Sequence, residues 1–354
     1  MKKLFLLLLA GCLWSLAADA QPVIEKQGSK KEPFTFVQIA DPQLGFCDKG
    51  QDWRWTVDNL KATVARVNEL KPAFVIVTGD LIHNHKNAEQ ARAYRENIAL
   101  IDASIPVFHI PGNHDIPKYG AEALAQYLDE FGYDRFSFSY NGSAFIGLNS
   151  NAMVCDSERA AADARAQLEW FGKQLERYRK CNHIFVFTHH PLVLSPDSRV
   201  THKSAYDEPF RTEYAALMKR YGVRAVFAGH THITGLTEVA GIPMIIAGAS
   251  SYPLYGASTG INVVDVTPTG FSSEFVVDDP ADGNIRLHWR RQRSGSPFCG
   301  QETASGRSRL LERPDAVFRP FQSATGCRMF QSGMPMTERK GAKASSSRSV
   351  PASR

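Results

Sequence analysis

The sequence predicts an α/β fold in which two mixed β-sheets pack face to face, with helices on both outer sides, giving a four-layer α-β-β-α sandwich. Three observations carry that expectation. Five runs of apolar residues, rich in Val, Ile and Phe, end abruptly in Asp, Asn, Gln or His, and a strand buried on both faces reads this way. The first three runs are separated by two amphipathic stretches, giving two consecutive strand-helix-strand units of the kind that build parallel sheets. The second half is richer in short strands, which need a second sheet to pack against.

The elements follow in order. Phe34 to Ala40 is the first strand, closed by Asp41-Pro-Gln43. Asp52 is placed to cap a helix in which Val57, Leu60, Val64, Val67 and Leu70 recur at helical spacing until Lys71-Pro72 stops it. Phe74 to Thr78 is the second strand and ends in Gly79-Asp80; an amphipathic helix over Ala88 to Ile101 then leads to the strand Val107 to Pro111, which ends in Gly112-Asn-His-Asp115. A helix near Ala121 to Phe131 precedes two alternating strands, Phe136 to Tyr140 and Ala144 to Asn149. Asn141-Gly142 between them is a strong hairpin signal. The helix Ala160 to Tyr178 precedes the strand that runs from Ile184 into His189-His190, and the helix Pro209 to Tyr221 precedes the strand that ends in Gly229-His-Thr-His232. Short strands near Thr234 to Val239, Met244 to Ala247, Ile261 to Val266 and Ser272 to Val277 complete the domain, expected over residues 33–289.

The two ends differ from this body. Lys2-Lys3 before the apolar run Leu4 to Ala10, with Ala18-Asp-Ala20 ahead of Gln21, reads as an export signal over residues 1–20 and predicts a periplasmic or secreted protein. The alternative is a lipobox, Leu9-Ala-Gly-Cys12, which would tether the chain to a membrane through acylated Cys12. The apolar stretch is shorter than the roughly 18 residues a membrane span needs. Residues 290–354 hold thirteen Lys or Arg against four Asp or Glu, so this tail carries +9 of a total of +5 and leaves the rest at −4. Rich in Ser, Gly, Arg and Pro, the tail is expected to be disordered, with Asp315 to Phe321 as a candidate for local docking. A mildly acidic body gives no support to specific nucleic-acid binding. Cys47, Cys155, Cys181, Cys299 and Cys327 form no CxxC or zinc-finger spacing, and no cysteine is expected in the chemistry.

Ligands bind in open α/β sheets just past the carboxyl ends of the strands, so five oxygen- and nitrogen-bearing endings converge on one small volume. That is a metal site, and two ions fit it. Two divalent ions about 3.5–4 Å apart need a bridging oxygen and a terminal set each, and together they activate water for displacement at phosphorus. Asp80, leaving a central strand, is placed to bridge. Asp41 and Gln43, two apart on an extended segment, point the same way, and His230 and His232 repeat that geometry. Asn113 offers a neutral oxygen and leaves His114 free to protonate a leaving group. Imidazole, carboxylate and amide oxygen together suit Mn, Fe or Zn.

The ordered set Asp-x-Gln, Gly-Asp, Gly-Asn-His-Asp, His-His-Pro and Gly-His-x-His resembles the calcineurin-like metallophosphoesterase superfamily. Ala40-Asp-Pro-Gln-Leu-Gly45, Gly79-Asp-Leu-Ile-His83 and Leu148-Asn-Ser150 are similar to its serine/threonine phosphatase-like branch, that of calcineurin-like phosphoesterase domain-containing protein 1. The resemblance spans residues 34 to 280 and implies the four-layer fold, one metal held by Asp41, Gln43, Asp80 and His232, and a second held by Asp80, Asn113, His189 and His230. It implies His114 as catalytic acid, contacting phosphate with Asn113, and hydrolysis of a phosphate ester by metal-bound hydroxide. The expected substrate is a phosphomonoester, small molecule or phosphoprotein, with phosphoserine or phosphothreonine as candidates. Phosphodiester or nucleotide cleavage on the same core is the alternative, followed by a non-catalytic metal-dependent binding protein. Most of the superfamily has His where this chain has Gln43, and an amide oxygen is a weaker ligand for late transition metals.

Other residues carry weaker signals. His190 is expected to pack beside the site, His109 to be a satisfied core histidine, and His83 and His85 either to orient phosphate or to occupy a solvated loop. Trp53, Arg54, Trp55 and Tyr252-Pro-Leu-Tyr255 are candidates for a cleft wall or for packing. His183, His202 and His288 carry no signal.

Overall fold

The computed structural model describes residues 24, 28–47, 51–194, 205–254 and 256–278, and the backbone of three further strands, Ile285–Arg290, Phe298–Thr303 and Ser308–Arg309. The strands are β1 (Phe34–Ile39), β2 (Val75–Thr78), β3 (Val107–Ile110), β4 (Phe136–Tyr140), β5 (Ser143–Gly147), β6 (His183–Phe187), β7 (Ala225–Ala228), β8 (Gly235–Val239), β9 (Ile242–Ile246), β10 (Gly260–Val266), β11 (Phe271–Val277) and the three just given, β12 to β14. The helices are α1 (Trp55–Leu70), α2 (Ala88–Ile98), α3 (Ala121–Phe131), α4 (Glu158–Tyr178) and α5 (Phe210–Arg220). One sheet runs β14-β13-β12-β11-β10-β1-β2-β3 and the other β4-β5-β6-β7-β9-β8. Both are mixed: β1, β2 and β3 are parallel and β10 joins β1 antiparallel, while β5, β6, β7 and β9 are parallel with β4 and β8 antiparallel at the edges.

Side chains alternate along a strand, and here the alternation sorts by size. Phe36, Phe74, Ile76, Phe108, Phe145, Phe185, Phe187 and Phe227 meet in one buried cluster drawn from both sheets. Their neighbours Val37, Val75, Val77, Ile184, Val186 and Val226 pack instead with Leu60, Val64 and Val67 of α1 and with helical residues such as Phe171 of α4 and Tyr214 of α5. Rings therefore fill the space between the sheets, as in the stacked pair Phe187–Phe227 with centroids 5.1 Å apart. Branched aliphatics seat the helices on the outer faces.

The boundaries refine the sequence reading. Asp52 does not cap α1: Arg54 is the N-cap residue, without a side-chain bond, and Asp52 Oδ1 instead accepts the Arg54 N–H at 3.1 Å in the preceding turn. α2 stops at Ile98, three residues short of expectation. Asn141 and Gly142 both take the left-handed conformation of a tight hairpin, φ 44° and 77°. The sheet continues past the boundary expected at residue 290, since β13 pairs with β12 and β14 with β13. The rest of the tail, the 1–20 segment with Cys12, and His202, Tyr255, Cys327 and Asp315 to Phe321 lie outside the described residues. Among the described residues no helix is long and apolar enough to cross a membrane.

Candidate metal centre

The loops after β1, β2, β3, β6 and β7 all open at one rim of the sandwich and bring Asp41, Gln43, Asp80, Asn113, His189, His230 and His232 together. The geometry behind this convergence corrects the extended-strand argument: Asp41, Gln43, Asp80, His230 and His232 all have positive φ, 48°, 33°, 50°, 71° and 57°. A non-glycine residue held there costs of order 1–3 kcal/mol, and such residues gather at functional sites. The chain therefore turns sharply as it leaves β1, β2 and β7. Neighbouring glycines make room. A Cβ on Gly112 would collide with Asp80 Oδ1 and the Asp80 backbone nitrogen, and one on Gly229 would lie 2.6 Å from Asp41 Oδ2.

Hydrogen bonds fix which atoms face inward. His189 Nδ1–H donates to the Thr78 carbonyl at 2.8 Å and His232 Nδ1–H to the Tyr252 carbonyl at 2.6 Å, so both Nε2 atoms keep a free lone pair. His114 Nδ1–H donates to the His83 carbonyl at 2.8 Å, and the His114 backbone N–H to Asp80 Oδ1 at 2.8 Å. The His230 N–H binds Asp41 Oδ2 at 2.9 Å. His189 Nε2 then lies 3.0 Å from Asn113 Oδ1, 3.1 Å from His230 Nδ1 and 3.5 Å from Asp80 Oδ2. On the other side, His232 Nε2 is 3.6 Å from Asp41 Oδ1.

The donor set fits a pair of cations. With its Nδ1 committed to a carbonyl, neutral His189 turns an unprotonated Nε2 onto the oxygen of Asn113, so two acceptors face each other with no proton between them. Asp41 Oδ1 and Gln43 Oε1 are buried without a hydrogen-bond partner among the described residues, an arrangement that costs about 1–3 kcal/mol per group unless something satisfies it. Burial, then the Asp80 carboxylate, pushes the Asp41 carboxyl well above the usual range. Burial opposes ionisation of Asp80 too, yet His189, His114 and His230 hold it below its usual value. Burial also lowers the basicity of His189 and His232, and of His230 to about 3, which keeps these rings neutral and able to ligate. Ligand atoms of Asp41, Asp80 and His189 lie within 4.8 Å of one another, and so do those of His189, His190 and His230.

A family profile described as calcineurin-like phosphoesterase matches residues 34–234, more than half of the chain. The chain belongs to the calcineurin-like phosphoesterase family. Its relatives include the serine/threonine-protein phosphatase CPPED1 of Rattus norvegicus, 32% identical over 261 residues, with 69% of this chain and 83% of the relative covered. The human protein of the same name is 32% identical over 266 residues, covering 69% and 83%. Purple acid phosphatase PPD1 of yellow lupin shares the fold, with a TM-score of 0.54 at 15% identity over 71% of this chain and 52% of that one. GAP50, the anchor in the inner membrane complex of Plasmodium, does so too, with a TM-score of 0.52 at 14% identity over 74% and 90%. This phosphoesterase is a hydrolase of phosphoric ester bonds with two packed mixed sheets flanked by helices and a candidate dinuclear metal site.

The other singled-out residues of the phosphoesterase fall into place. His190 packs its ring 4.3 Å from that of His230, and its Nδ1 meets the Ser150 hydroxyl at 2.9 Å. Ser150 Oγ also accepts the His190 backbone N–H at 2.9 Å. His109 is a core residue bonded through Nε2 to the Tyr94 hydroxyl at 3.0 Å. Trp53 packs on the helix side and exposed Arg54 pairs with Asp52 and Glu89, whereas Trp55 meets Tyr252, which in turn meets Phe46 beside His232. Trp55, Tyr252 and Phe46 thus form an aromatic wall on one flank. On the other, Asn113, His190 and His230 open into a cleft of about 790 Å³ bordered by Lys118, Asp156 and Asp207. Sequence reasoning gave Asp115 no role, although it is the last letter of Gly-Asn-His-Asp. Its carboxylate accepts the Gly112 N–H at 2.8 Å and the Leu81 N–H at 3.0 Å, tying the second and third loops together.

Proposed function

We propose that the protein is an exported phosphomonoesterase with phosphoserine- or phosphothreonine-containing protein among its substrates. The facing acceptors Asn113 Oδ1 and His189 Nε2, 3.0 Å apart, carry the reading of the site, with Asp41 Oδ1 and Gln43 Oε1 buried and without a hydrogen-bond partner among the described residues. The named phosphatase relatives, aligned over most of their length, carry the substrate class. Asp80 would be shared between two ions, with Asp41, Gln43 and His232 on one and Asn113, His189 and His230 on the other. Two divalent ions, when bound, activate water near neutral pH and offset charge on the phosphoryl group. Asn113 and His114 position the phosphate. As the water oxygen bonds to phosphorus, the bond to the leaving oxygen breaks; that oxygen takes the Nε2 proton of a His114 ring carrying both protons, which keeps its Nδ1–H on the His83 carbonyl, and the proton lost by water passes to solvent. A positioned proton donor of this kind contributes about 10²–10⁴-fold.

Asp80→Asn is expected to abolish turnover while the far-ultraviolet circular dichroism stays unchanged; full activity in that variant would sink the reading. Hydrolysis lost in His114→Ala but kept in a tag-matched preparation of the wild type would exclude the non-catalytic binding protein. Rates on p-nitrophenyl phosphate above those on its bis-ester, and on phosphopeptides above those on nucleotides, are expected, and the reverse order would make the protein a diesterase or nucleotide hydrolase. Export rests on the Lys2-Lys3, Leu4 to Ala10 and Ala18-Asp-Ala20 pattern, and the mass of the mature N-terminus separates cleavage before Gln21 from acylation at Cys12.

A further inference from the structure

We propose that His83 is a positioning residue for His114: its ring and its carbonyl together aim His114 Nε2 at the leaving group. This rests on His114 being the proton donor. The contact is double. The His83 carbonyl takes the His114 Nδ1–H at 2.8 Å, and the two rings stack with centroids 4.7 Å apart and planes 27° apart. The far face of His83 is covered by Phe46, centroids 5.0 Å apart and planes 14° apart. His83 is the middle ring of a three-ring stack ending on His114.

Two features show that the stack, and not a polar contact, holds the His83 ring. Its Nδ1 is buried without a hydrogen-bond partner among the described residues. Burial, then the nearby His114, lowers its basicity, so a neutral ring faces the acid. The backbone beneath is rigid as well. Beyond the ends of β1 and β2 the two loops go on pairing: the Gln43 N–H reaches the Asp80 carbonyl at 2.8 Å, Leu44 pairs with Ile82 in a parallel bridge, and the His83 N–H reaches the Leu44 carbonyl at 2.9 Å. The carbonyl that fixes His114 is thus anchored to the same short ladder that carries Asp80 and Gln43. Phe46 also touches the His232 ring, centroids 5.6 Å apart, so the stack spans from the acid to the opposite side of the metal centre.

A proton donor matters most for a poor leaving group, which gives a test that mere loss of packing would not mimic. Steady-state kinetics of the metal-loaded protein on p-nitrophenyl phosphate, phenyl phosphate and phosphoserine should show His83→Ala lowering kcat about 10–100-fold on the last two and less than about threefold on the first, with KM held. His83→Phe, which keeps a ring between Phe46 and His114, should recover most of the loss. His114→Ala should show the same dependence more steeply, and the double variant should be no worse than His114→Ala alone. A uniform loss across the three esters, or additive losses in the double variant, overturns the proposal. A flat profile for His114→Ala overturns the reading of His114 and this proposal together, whereas a sloped profile there with a flat one for His83→Ala overturns only this one. Should His83→Ala fail to fold, long-range ¹H–¹⁵N spectra of the wild type and of His83→Phe decide. A proton on Nδ1 of His114 in both supports the proposal, and an unprotonated Nδ1 in the wild type overturns it.

Discussion

At the scale of single residues, the site depends on what is absent as much as on its ligands. Gly112 leaves room for the Asp80 carboxylate, and a methyl group there would occupy the place of Oδ1. Gly112→Ala is therefore expected to cost about 1–3 kcal/mol of stability, measured from urea midpoints, and to lower metal content far more than that loss of folded protein explains, measured by elemental analysis. Metal content equal to wild type would show that the third loop has slack the structure does not display. Which side chains converge was legible in the sequence from the five strand endings. How they converge was not, because the left-handed backbone at Asp41, Gln43, Asp80, His230 and His232 leaves no mark in a string of letters other than glycine neighbours. The carbonyls of Thr78, His83 and Tyr252, which set the protonation of His189, His114 and His232, have no letter at all.

At the scale of elements, β3 carries a charge-sensitive residue into the core. His109 is buried and its basicity is pushed down by that burial to about 3, while in the unfolded chain it protonates near 6.5. The unfolded state therefore binds the proton first. His109 supports the folded state fully above about pH 6.5, and that support fades as pH falls toward about 3, by up to roughly 5 kcal/mol. His109→Gln should flatten the acid limb of the stability curve between these values, read from urea midpoints against pH; an unchanged slope would show that the ring protonates in place. The strands themselves were legible because each is buried on both faces and so reads as an unbroken apolar run. Their edges were less so: α1 begins after a turn that Asp52 braces but does not cap, and residues past 290 lack the periodicity that would announce β13 and β14. Partner order was legible only for β4 and β5, where Asn141-Gly142 joins neighbours locally. β7 pairs with β9 across an intervening hairpin strand, and β1 pairs with β10 from far along the chain, and neither pairing has a local signal.

At the scale of the whole molecule, the two sheets meet beneath the metal loops through a buried polar chain. Gln38 of β1 donates to the Ala228 carbonyl of β7 at 2.9 Å and to the Thr78 hydroxyl of β2 at 3.1 Å, and accepts from Asn262 of β10 at 3.0 Å. The ligands come from both sheets, so a bound ion pair would clasp the sandwich at this rim. Removal of metal by a chelator is expected to abolish activity and lower the melting temperature by about 5–10 °C relative to protein held at a hundred times the dissociation constant. Mn, Zn and Fe are to be compared on refilling by calorimetry; a melting temperature indifferent to all three would show that the rim is held by the polar chain alone.

The left-handed turns at the ligands bear on any attempt to move this chemistry elsewhere. Grafting the seven side chains onto the strand ends of another α/β scaffold would transplant the letters without the bends, and the five held in the left-handed conformation would lose the turn that aims them. The smallest transferable unit is a loop with its glycine and its strained residue together. An engineer would have to carry over backbone, and a host scaffold would have to be stable enough to bear the strain before any metal arrives to relieve it.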